Sequence, residues 1–155
     1  MSEADGIRVE QASPRLQEAR ELIAELDAYL TSLYPPERNY LVDVESLCAA
    51  GVTFFLARCD GVTAGCGAVR RLDESSAEVK RMYVKPQLRG RGIGLAILRA
   101  VEARARELGV SRLLLETGTA QPEALALYER QGYRRRRAYG EYRAESSSVF
   151  MEKAV

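Results

Sequence analysis

The most constraining feature of the sequence is a segment from Arg89 to Gly94 with glycine at every second position and arginine at 89 and 91, between a predicted strand ending at Val84 and a predicted helix. Glycine adopts left-handed backbone conformations without steric cost and allows close approach of a ligand to the main chain. The first N–H groups of a helix lack partners within the helix and, with the helix dipole, favour an anion. This arrangement therefore predicts a phosphate site at the helix N-terminus.

The phosphate site does not match two common nucleotide motifs. A Walker A loop requires a lysine followed by a hydroxyl residue, and the segment supplies neither. A dinucleotide fingerprint opens a parallel βαβ unit, whereas this segment follows a predicted antiparallel hairpin. The remaining alternative is a tight connection without a ligand. Arg89 and Arg91 favour the phosphate site because guanidinium groups form charge-assisted hydrogen bonds with phosphates.

The spacing of apolar residues predicts a mixed α/β (α+β) domain in the element order βααβββαβαββ. Ser13 and Pro14 form a predicted N-cap and first turn. The predicted strands cover residues 7–9, 52–58, 62–72, 77–84, 111–117, 133–139 and 148–153, and the predicted helices cover 14–31, 42–49, a stretch after the glycine run up to 108, and 122–130. A length of 155 residues suits one domain, so we expect residues 1–155 to form a single unit.

The three cysteines do not form a disulfide or zinc pattern, because their number is odd and no C-x-x-C spacing occurs. Asp60 and Gly61 predict a two-residue hairpin turn. That turn places Cys59 opposite Val62 and Cys66 opposite Phe55, so Cys59 and Cys66 are not expected to pair with each other. We expect free, buried thiols.

The charge distribution separates the chain into an acidic and a basic part. The total is 23 basic and 22 acidic residues, but residues 1–50 contain 4 basic and 10 acidic side chains, whereas residues 80–112 contain 9 basic and 2 acidic ones. A net charge of +1 argues against a protein that coats nucleic acid. The chain has no histidine, which excludes Ser-His-Asp and Cys-His nucleophilic sites and any zinc site with a histidine ligand.

Several motifs together resemble the GNAT superfamily of N-acetyltransferases, in particular its small bacterial single-domain members. The run from Gln87 to Gly92 matches the family signature [QR]-x-x-G-x-[GA], and it follows a stretch, Glu78 to Val84, that resembles the fourth strand of the family. The segment from Ala124 to Tyr133 resembles the family pattern A-x-x-x-Y-x-x-x-G-[FY]. The resemblance covers about residues 52–155 and implies a mixed, mostly antiparallel central sheet flanked by helices.

The resemblance implies acetyl-CoA as co-substrate and no metal. In this family the CoA pyrophosphate lies on the amides of the glycine loop, and the pantetheine arm runs beside the fourth strand. The residues that the resemblance assigns to CoA are Met82, Tyr83, Val84, Gln87, Arg89, Gly90, Arg91, Gly92, Ile93, Gly94, Thr117, Gln121 and Ala124. Gln121 departs from the pattern, since the family often has asparagine there. The basic excess of residues 80–112 agrees with a phosphate-bearing ligand.

The resemblance also implies two catalytic residues. Glu78 lies where several family members keep a glutamate general base, and strict alternation would place it on one face with Lys80, Met82 and Val84. The alternative is a strand-edge carboxylate paired with Lys80 or Arg81. Tyr128 lies where the family places a tyrosine that protonates the departing thiolate; the alternative is a core aromatic. The implied bulge on the fourth strand would let the N–H of Met82 or Tyr83 stabilise the developing oxyanion.

These expectations describe a soluble, cytoplasmic enzyme that transfers an acetyl group directly from acetyl-CoA to the primary amine of a small molecule. The acidic N-terminal part, with Glu37, Asp43 and Glu45 near Tyr34 and Tyr40, would shape a site for a cationic acceptor. N-terminal or lysine acetylation of proteins and a non-catalytic acyl-CoA sensor remain alternatives. The arginine run 134–137 offers a nucleic-acid site, but a solvated strand face explains it better. No apolar run has the length of a membrane span, and residues 1–5 do not resemble a signal peptide. A homodimer is compatible with the sequence.

Overall fold

One twisted sheet with helices on both faces forms the protein. The structure is a computed structural model that describes residues 6–34, 43–140, 142 and 147–155. The strands are β1 (Ile7–Gln11), β2 (Val52–Cys59), β3 (Val62–Arg71), β4 (Ser76–Val84), β5 (Arg112–Gly118), β6 (Arg134–Arg136) and β7 (Ser148–Ala154). The helices are α1 (Gln17–Leu33), α2 (Val44–Leu47), α3 (Ile93–Glu107) and α4 (Pro122–Arg130), with a 3₁₀ turn at Pro86–Leu88.

The strands lie in the order β1-β2-β3-β4-β5-β7-β6. Neighbouring strands are antiparallel except β4 and β5, which are parallel and are joined through α3. The predicted element order and the mostly antiparallel sheet are therefore confirmed. In the described part of the chain no helix is both long and apolar enough to cross a membrane.

Two apolar clusters hold the helices on opposite faces of the sheet. Helix α1 buries Ala19, Leu22, Ile23 and Leu26, which recur at helical spacing, against β2 and β3. Helix α3 buries the side chains Ile93, Ile97, Leu98, Val101 and Ala105 on the other face, in the cluster that also contains β5 and β7 residues. Burial of each leucine or isoleucine side chain contributes about 1.5–3 kcal/mol to folding. The two clusters fix the ends of β4 and β5 relative to α3.

The hairpin turn is confirmed, but its register differs from the prediction. Asp60 and Gly61 have φ angles of 52° and 82°, as a two-residue hairpin turn requires. Cys59 lies opposite Val62 as expected, whereas Cys66 lies opposite Leu56 and not Phe55. A bulge between residues 57 and 58 shifts the register by one residue. All three cysteines are free thiols, but the expected burial is wrong for Cys48, which is half-buried.

The predicted N-cap at Ser13 is wrong. Residues 13–16 form a turn closed by the Leu16 N–H donating to the Ser13 carbonyl oxygen at 3.2 Å, and helix α1 begins only at Gln17. The Ser13 hydroxyl oxygen accepts from the Arg15 N–H within this turn. Serine and proline favour turns as well as helix starts, so the same residues are compatible with both structures.

Candidate active site

The central feature of the site is a cavity between β4 and β5. The two strands pair over only three positions, which join residues 76–78 to residues 112–114. Beyond these pairs lies a cavity of about 640 Å³, lined by residues 79–84 of β4 and residues 115–117 of β5. The strands therefore diverge and leave a cleft whose volume falls in the range of small-molecule sites.

A bulge interrupts β4 where it borders the cavity. Lys80 lies opposite Ala68 and Tyr83 lies opposite Cys66, so three steps on β4 face two steps on β3. Arg81 takes up the additional residue with a φ of 56°, which is uncommon for a residue other than glycine. Its guanidinium group is buried and bound to the Asp27 carboxylate of α1. The bulge that the family resemblance implies is therefore present.

The bulge changes which side chains share a face. Strict alternation predicts that Glu78 and Lys80 share a face with Met82 and Val84, and this prediction is wrong. Met82 and Val84 pack in the cluster of α3, whereas Tyr83 packs in the cluster of α1. Insertion of one residue reverses the alternation of every later side chain.

The N-terminus of α3 forms one end of the cavity. Gly90 and Gly92 have φ angles of 80° and 85°, and a Cβ atom on either would find no other atom within 4 Å. Gly92 is the N-cap of α3 and supplies no side chain to the first-turn N–H groups. Because the first N–H groups of a helix lack partners within the helix and lie at the positive end of its dipole, these residues fit a phosphate group.

Two arginines flank this helix end, and they have different environments. Arg89 lines the cavity, donates from Nε to the Val84 carbonyl oxygen at 3.0 Å, and has its guanidinium carbon 5.6 Å and 5.9 Å from the ring centroids of Tyr29 and Tyr83. Arg91 is exposed and is not among the lining residues. Both arginines are exposed, but only Arg89 is held at the cavity by contacts with the fold.

Helix α4 contributes the opposite wall. Tyr128 is buried, lines the cavity, and packs edge-on against Tyr133 with ring centroids 5.6 Å apart. Burial raises the pKa of the Tyr128 phenol well above its ordinary value of 10.0. Tyr128 therefore keeps its proton at neutral pH, as a proton donor must.

Gln121 at the start of α4 is held by a tyrosine from α1. The Tyr34 hydroxyl donates to the Gln121 side-chain oxygen at 3.1 Å and accepts from the Ala120 N–H at 3.3 Å. Tyr34 lies so close to Gly118 that a Cβ atom there would be 1.7 Å from the hydroxyl oxygen. Glycine at position 118 is thus needed for Tyr34 to reach the cavity wall.

Glu78 lies at the centre of a buried polar cluster. Its side chain is 0% exposed, and Oε1 accepts from Arg70 at 2.7 Å. Oε2 accepts from the hydroxyl groups of Tyr139 and Tyr142, each at 2.6 Å. The Lys80 ammonium nitrogen lies 3.9 Å from the same oxygen. Burial, together with proximity to this carboxylate, raises the pKa of both tyrosines far above the ordinary value, so both hydroxyls stay protonated.

The structure brings most of the sequence-predicted site residues together. Twelve of them line the one cavity: Met82, Tyr83, Val84, Arg89, Gly90, Gly92, Ile93, Gly94, Thr117, Gln121, Ala124 and Tyr128. Glu78, Gln87 and Arg91 are not among its lining residues. Sequence reasoning placed Tyr34 only in the acidic N-terminal acceptor region and gave no site role to Lys80 or Glu116, although all three line the cavity. No local pattern marks them, because their positions depend on the β4 bulge and on contacts between distant segments.

Two acidic residues of the N-terminal part form contacts within the protein. Asp43 caps α2 by accepting from the Ser46 N–H at 2.8 Å, and Glu45 pairs with Arg15 at 2.7 Å. Neither is among the lining residues of the described cavity, so a role of these two carboxylates in acceptor binding stays a prediction. Glu37 and Tyr40 lie outside the described residues.

Comparison with known proteins agrees with this geometry. The model of the acetyltransferase (GNAT) family matches residues 18–133. An IAA acetyltransferase of Azospirillum brasilense is 43% identical over 150 residues, which cover 96% of this chain and 98% of that protein. A crystal structure from Klebsiella pneumoniae, described as an acyl-CoA N-acyltransferase, superposes with a TM-score of 0.81 at 36% identity over 96% of this chain and 97% of the other.

A more distant structure shares the fold. The PaiA N-acetyltransferase of Thermoplasma acidophilum, solved in complex with coenzyme A, gives a TM-score of 0.76 at 20% identity over the full length of both chains. The fold, the cavity and these similarities define an acetyltransferase. The chain belongs to the GNAT acetyltransferase family.

Proposed function

We propose that the protein transfers the acetyl group of acetyl-CoA directly to the primary amine of a small molecule. The observation that carries this proposal is the cavity between β4 and β5, which ends on the glycine-rich start of α3 and is lined by Tyr128. The free N–H groups of α3 suit the phosphates of the donor. A volume of about 640 Å³ suits a small acceptor beside the donor arm. Residues 1–155 would act as one domain.

Binding of the donor would rest on the main chain and one arginine. The N–H groups that follow Gly90 and Gly92 would bind the pyrophosphate, and Arg89 would add a charge-assisted hydrogen bond. Tyr83 and Val84 pair with β3, but none of residues 82–84 pairs with β5, so backbone groups on the β5 side are available to the donor arm. The Val84 carbonyl oxygen already accepts from Arg89. When bound, acetyl-CoA supplies an activated thioester carbonyl.

The chain's own residues would then handle charge and protons. The N–H of Met82 or Tyr83, next to the β4 bulge, would donate to the carbonyl oxygen as negative charge develops there. Tyr128 would give its proton to the departing sulfur. Glu78 would be the final acceptor of the proton that the amine loses, because it is the carboxylate at the centre of the cluster beside the cavity.

A thiol-release assay tests the proposal. Purified protein and acetyl-CoA are combined with a panel of amines, amino acids, peptides and IAA, the last because the 43% relative bears that name. We expect thiol release that depends on a small amine, with an acetylated product visible by mass spectrometry. Turnover only with peptides would assign the protein to peptide acetylation, and binding of CoA without turnover for any acceptor would refute the proposal.

The role of Glu78 is tested separately. Replacement of Glu78 by Gln keeps the size of the side chain and removes the charge, so we expect kcat to fall by about 10²-fold or more, which is typical for a general base. The affinity for CoA, measured by calorimetry, should change little because Glu78 is not a lining residue. A kcat equal to that of the wild type would remove Glu78 from the mechanism and leave the acetyltransferase assignment intact.

A further inference from the structure

The position of Glu78 raises a physical question for any reaction in the cavity. Its carboxylate is fully buried, both oxygens accept hydrogen bonds from neighbouring side chains, and it is not among the residues that line the cavity. A general base must lie within hydrogen-bond reach of the proton it removes, or be connected to it. A proton from an acceptor in the cavity therefore needs a path to Glu78.

Lys80 and Tyr142 provide such a path. Lys80 lines the cavity, and its Nζ donates to the Tyr142 hydroxyl oxygen at 2.6 Å. The Tyr142 hydroxyl in turn donates to Oε2 of Glu78 at 2.6 Å. Both distances are those of strong hydrogen bonds. The three groups form a continuous chain from the cavity to the buried carboxylate.

We propose that Lys80 and Tyr142 relay the proton of the acceptor amine to Glu78, an inference that rests on the proposed amine acetylation. Lys80 meets the acceptor in the cavity, and Tyr142 connects it to the carboxylate. Glu78 stores the proton without touching the acceptor. This arrangement adds two residues to the reaction that the family signature does not mark.

Protons and electrons balance along this chain. The Lys80 ammonium gives a proton to the Tyr142 oxygen while the Tyr142 hydroxyl gives its own to Glu78, which leaves neutral Lys80, neutral Tyr142 and a carboxylic acid. Neutral Lys80 then takes a proton from the acceptor ammonium and frees the nitrogen lone pair. That lone pair forms the new C–N bond, and the C–S electrons leave with sulfur. The acetylated nitrogen then loses its second proton to bulk water, and Tyr128, after giving its proton to the sulfur, takes one back from bulk water. These two transfers cancel, so the one proton released by the net reaction is the proton held on Glu78.

The surroundings of Lys80 suit a lysine that changes its protonation state. Its side chain is only 11% exposed, and burial lowers its pKa from the ordinary value. Charged groups face it from several elements: the carboxylates of Glu78 and Glu116 favour the ammonium form, whereas Arg70 and Arg81 oppose it. The Tyr142 ring lies 5.3 Å from Nζ. The two carboxylates and the two guanidinium groups near Lys80 balance each other in charge. A neutral Lys80 amine therefore leaves no uncompensated charge among them.

Two substitutions break the chain at different links. Tyr142→Phe removes the hydroxyl that joins Lys80 to Glu78, and Lys80→Arg keeps a cation that does not deprotonate. Tyr139→Phe is the matched control. The Tyr139 hydroxyl also donates to Oε2 of Glu78 at 2.6 Å, but it is not hydrogen-bonded to Lys80. Each variant is measured for kcat, acceptor KM, CoA affinity and the pH profile of kcat/KM.

The relay predicts a specific ranking. We expect kcat to fall by about 10²-fold in Tyr142→Phe and in Lys80→Arg, and by less than about fivefold in Tyr139→Phe. The double variant should be no slower than either single one, since the residues act as a unit. The wild-type kcat/KM should fall toward acid pH, and the pH at which it falls should differ from the wild-type value in both relay variants. CoA affinity within about threefold of the wild type shows that each variant is folded.

Other outcomes separate the relay from the proposed function. Equal losses in Tyr142→Phe and Tyr139→Phe, or a Lys80→Arg variant with nearly full activity, would overturn the relay while the acetyltransferase reaction stands. A wild-type protein that releases no thiol with any amine would overturn both. Because the two relay variants alter different side chains, poor folding of one leaves the other to decide.

Discussion

At the scale of single residues, the environment of Tyr128 determines what its phenol can do. The side chain is buried, and burial raises its pKa because the phenolate would be poorly solvated. A departing thiolate in the same cavity would be desolvated as well, which makes it a better proton acceptor. Tyr128 thus keeps its proton until the thiolate departs, as a proton donor in this position must.

Replacement of Tyr128 by Phe tests this role. We expect kcat to fall by about 10²-fold with little change in CoA affinity, because the ring remains and only the proton donor is lost. Steady-state kinetics and calorimetry measure the two quantities. The matched control is Tyr133→Phe, since the Tyr133 hydroxyl donates to Glu102 at 2.9 Å and Tyr133 is not a lining residue. The control should lose stability and keep its turnover, and equal turnover in both variants would contradict the assignment.

The buried thiol of Cys66 should make the free energy of unfolding depend on pH in the alkaline range. Its buried thiol has a pKa raised from 9.0 to about 12 by desolvation. Above pH 9 the thiol of the unfolded chain loses its proton whereas the folded protein retains it, so the free energy of unfolding falls between pH 9 and pH 12. One retained proton gives a slope of about 1.4 kcal/mol per pH unit.

Denaturant titrations at pH 7 to 11 measure this slope. Cys66→Ala should flatten the dependence by about one proton relative to the wild type, because the buried tyrosines are present in both proteins. Cys48→Ala is the control, since Cys48 is only half-buried, and we expect the wild-type slope. Parallel curves for Cys66→Ala and the wild type would show that the thiol is not the source.

At the scale of elements, helix α3 has a glycine with positive φ at each end. Gly92 caps the N-terminus with a φ of 85°, and Gly109 follows the C-terminus with a φ of 79°. A Cβ atom on either glycine would find no other atom within 4 Å. The two positions therefore share the same backbone requirement and differ only in their distance from the cavity.

This symmetry gives a controlled test of donor binding. Alanine at either position should cost about 1–2 kcal/mol of stability, because the left-handed conformation is unfavourable for residues with a Cβ. Only Gly92→Ala adds an atom to the cavity lining, so we expect a dissociation constant for CoA raised about tenfold, or about 1.4 kcal/mol. Thermal melts and calorimetry measure both. Equal CoA affinity in the two variants would place the phosphates elsewhere.

The elements were predictable from sequence because their signals are local. Apolar spacing marks the helices, and the pair Asp60-Gly61 specifies its turn with two positive φ angles. The β4 bulge is different. Nothing in the residue type of Arg81 demands a φ of 56°, and its ion pair with Asp27 joins segments 54 residues apart. The order of the elements along the chain could therefore be read, but not the face on which each β4 side chain lies.

The candidate site follows the same division. The glycine run and Tyr128 lie in motifs that can be recognised, and the structure places them on one cavity. The partners of Glu78 could not be read, because Tyr139 and Tyr142 follow the short strand β6 at sequence separations of 61 and 64 residues. Arg70 would have been easier to find as a partner of Glu78, because it lies opposite Glu78 where β3 pairs with β4.

At the scale of the whole molecule, β4 and β5 are joined by a short ladder. Only three residue pairs connect them, and the cavity occupies the gap beyond. A ligand in this gap contacts both sides of the sheet. It would therefore couple the two sides more tightly than the ladder alone does.

Hydrogen–deuterium exchange measures this coupling. On addition of CoA we expect slower exchange at residues 80–84, at 115–118 and in the first turn of α3, and unchanged exchange in the β1–β2 ladder. At a CoA concentration of 100 times the dissociation constant, the free energy of unfolding should rise by about 2.7 kcal/mol. Protection confined to the first turn of α3 would show that the ligand does not enter the gap.

The divergence of β4 and β5 also has a consequence for how such a protein diversifies. The donor would be bound mainly by backbone groups, at the gap and at the start of α3, and backbone groups are present whatever the side chains are. Substitutions around the remaining wall would then alter which amine is accepted without weakening donor binding. Changes in its loops can thus let the chain accept new amines while the acetyl donor and the cleavage of its thioester stay the same.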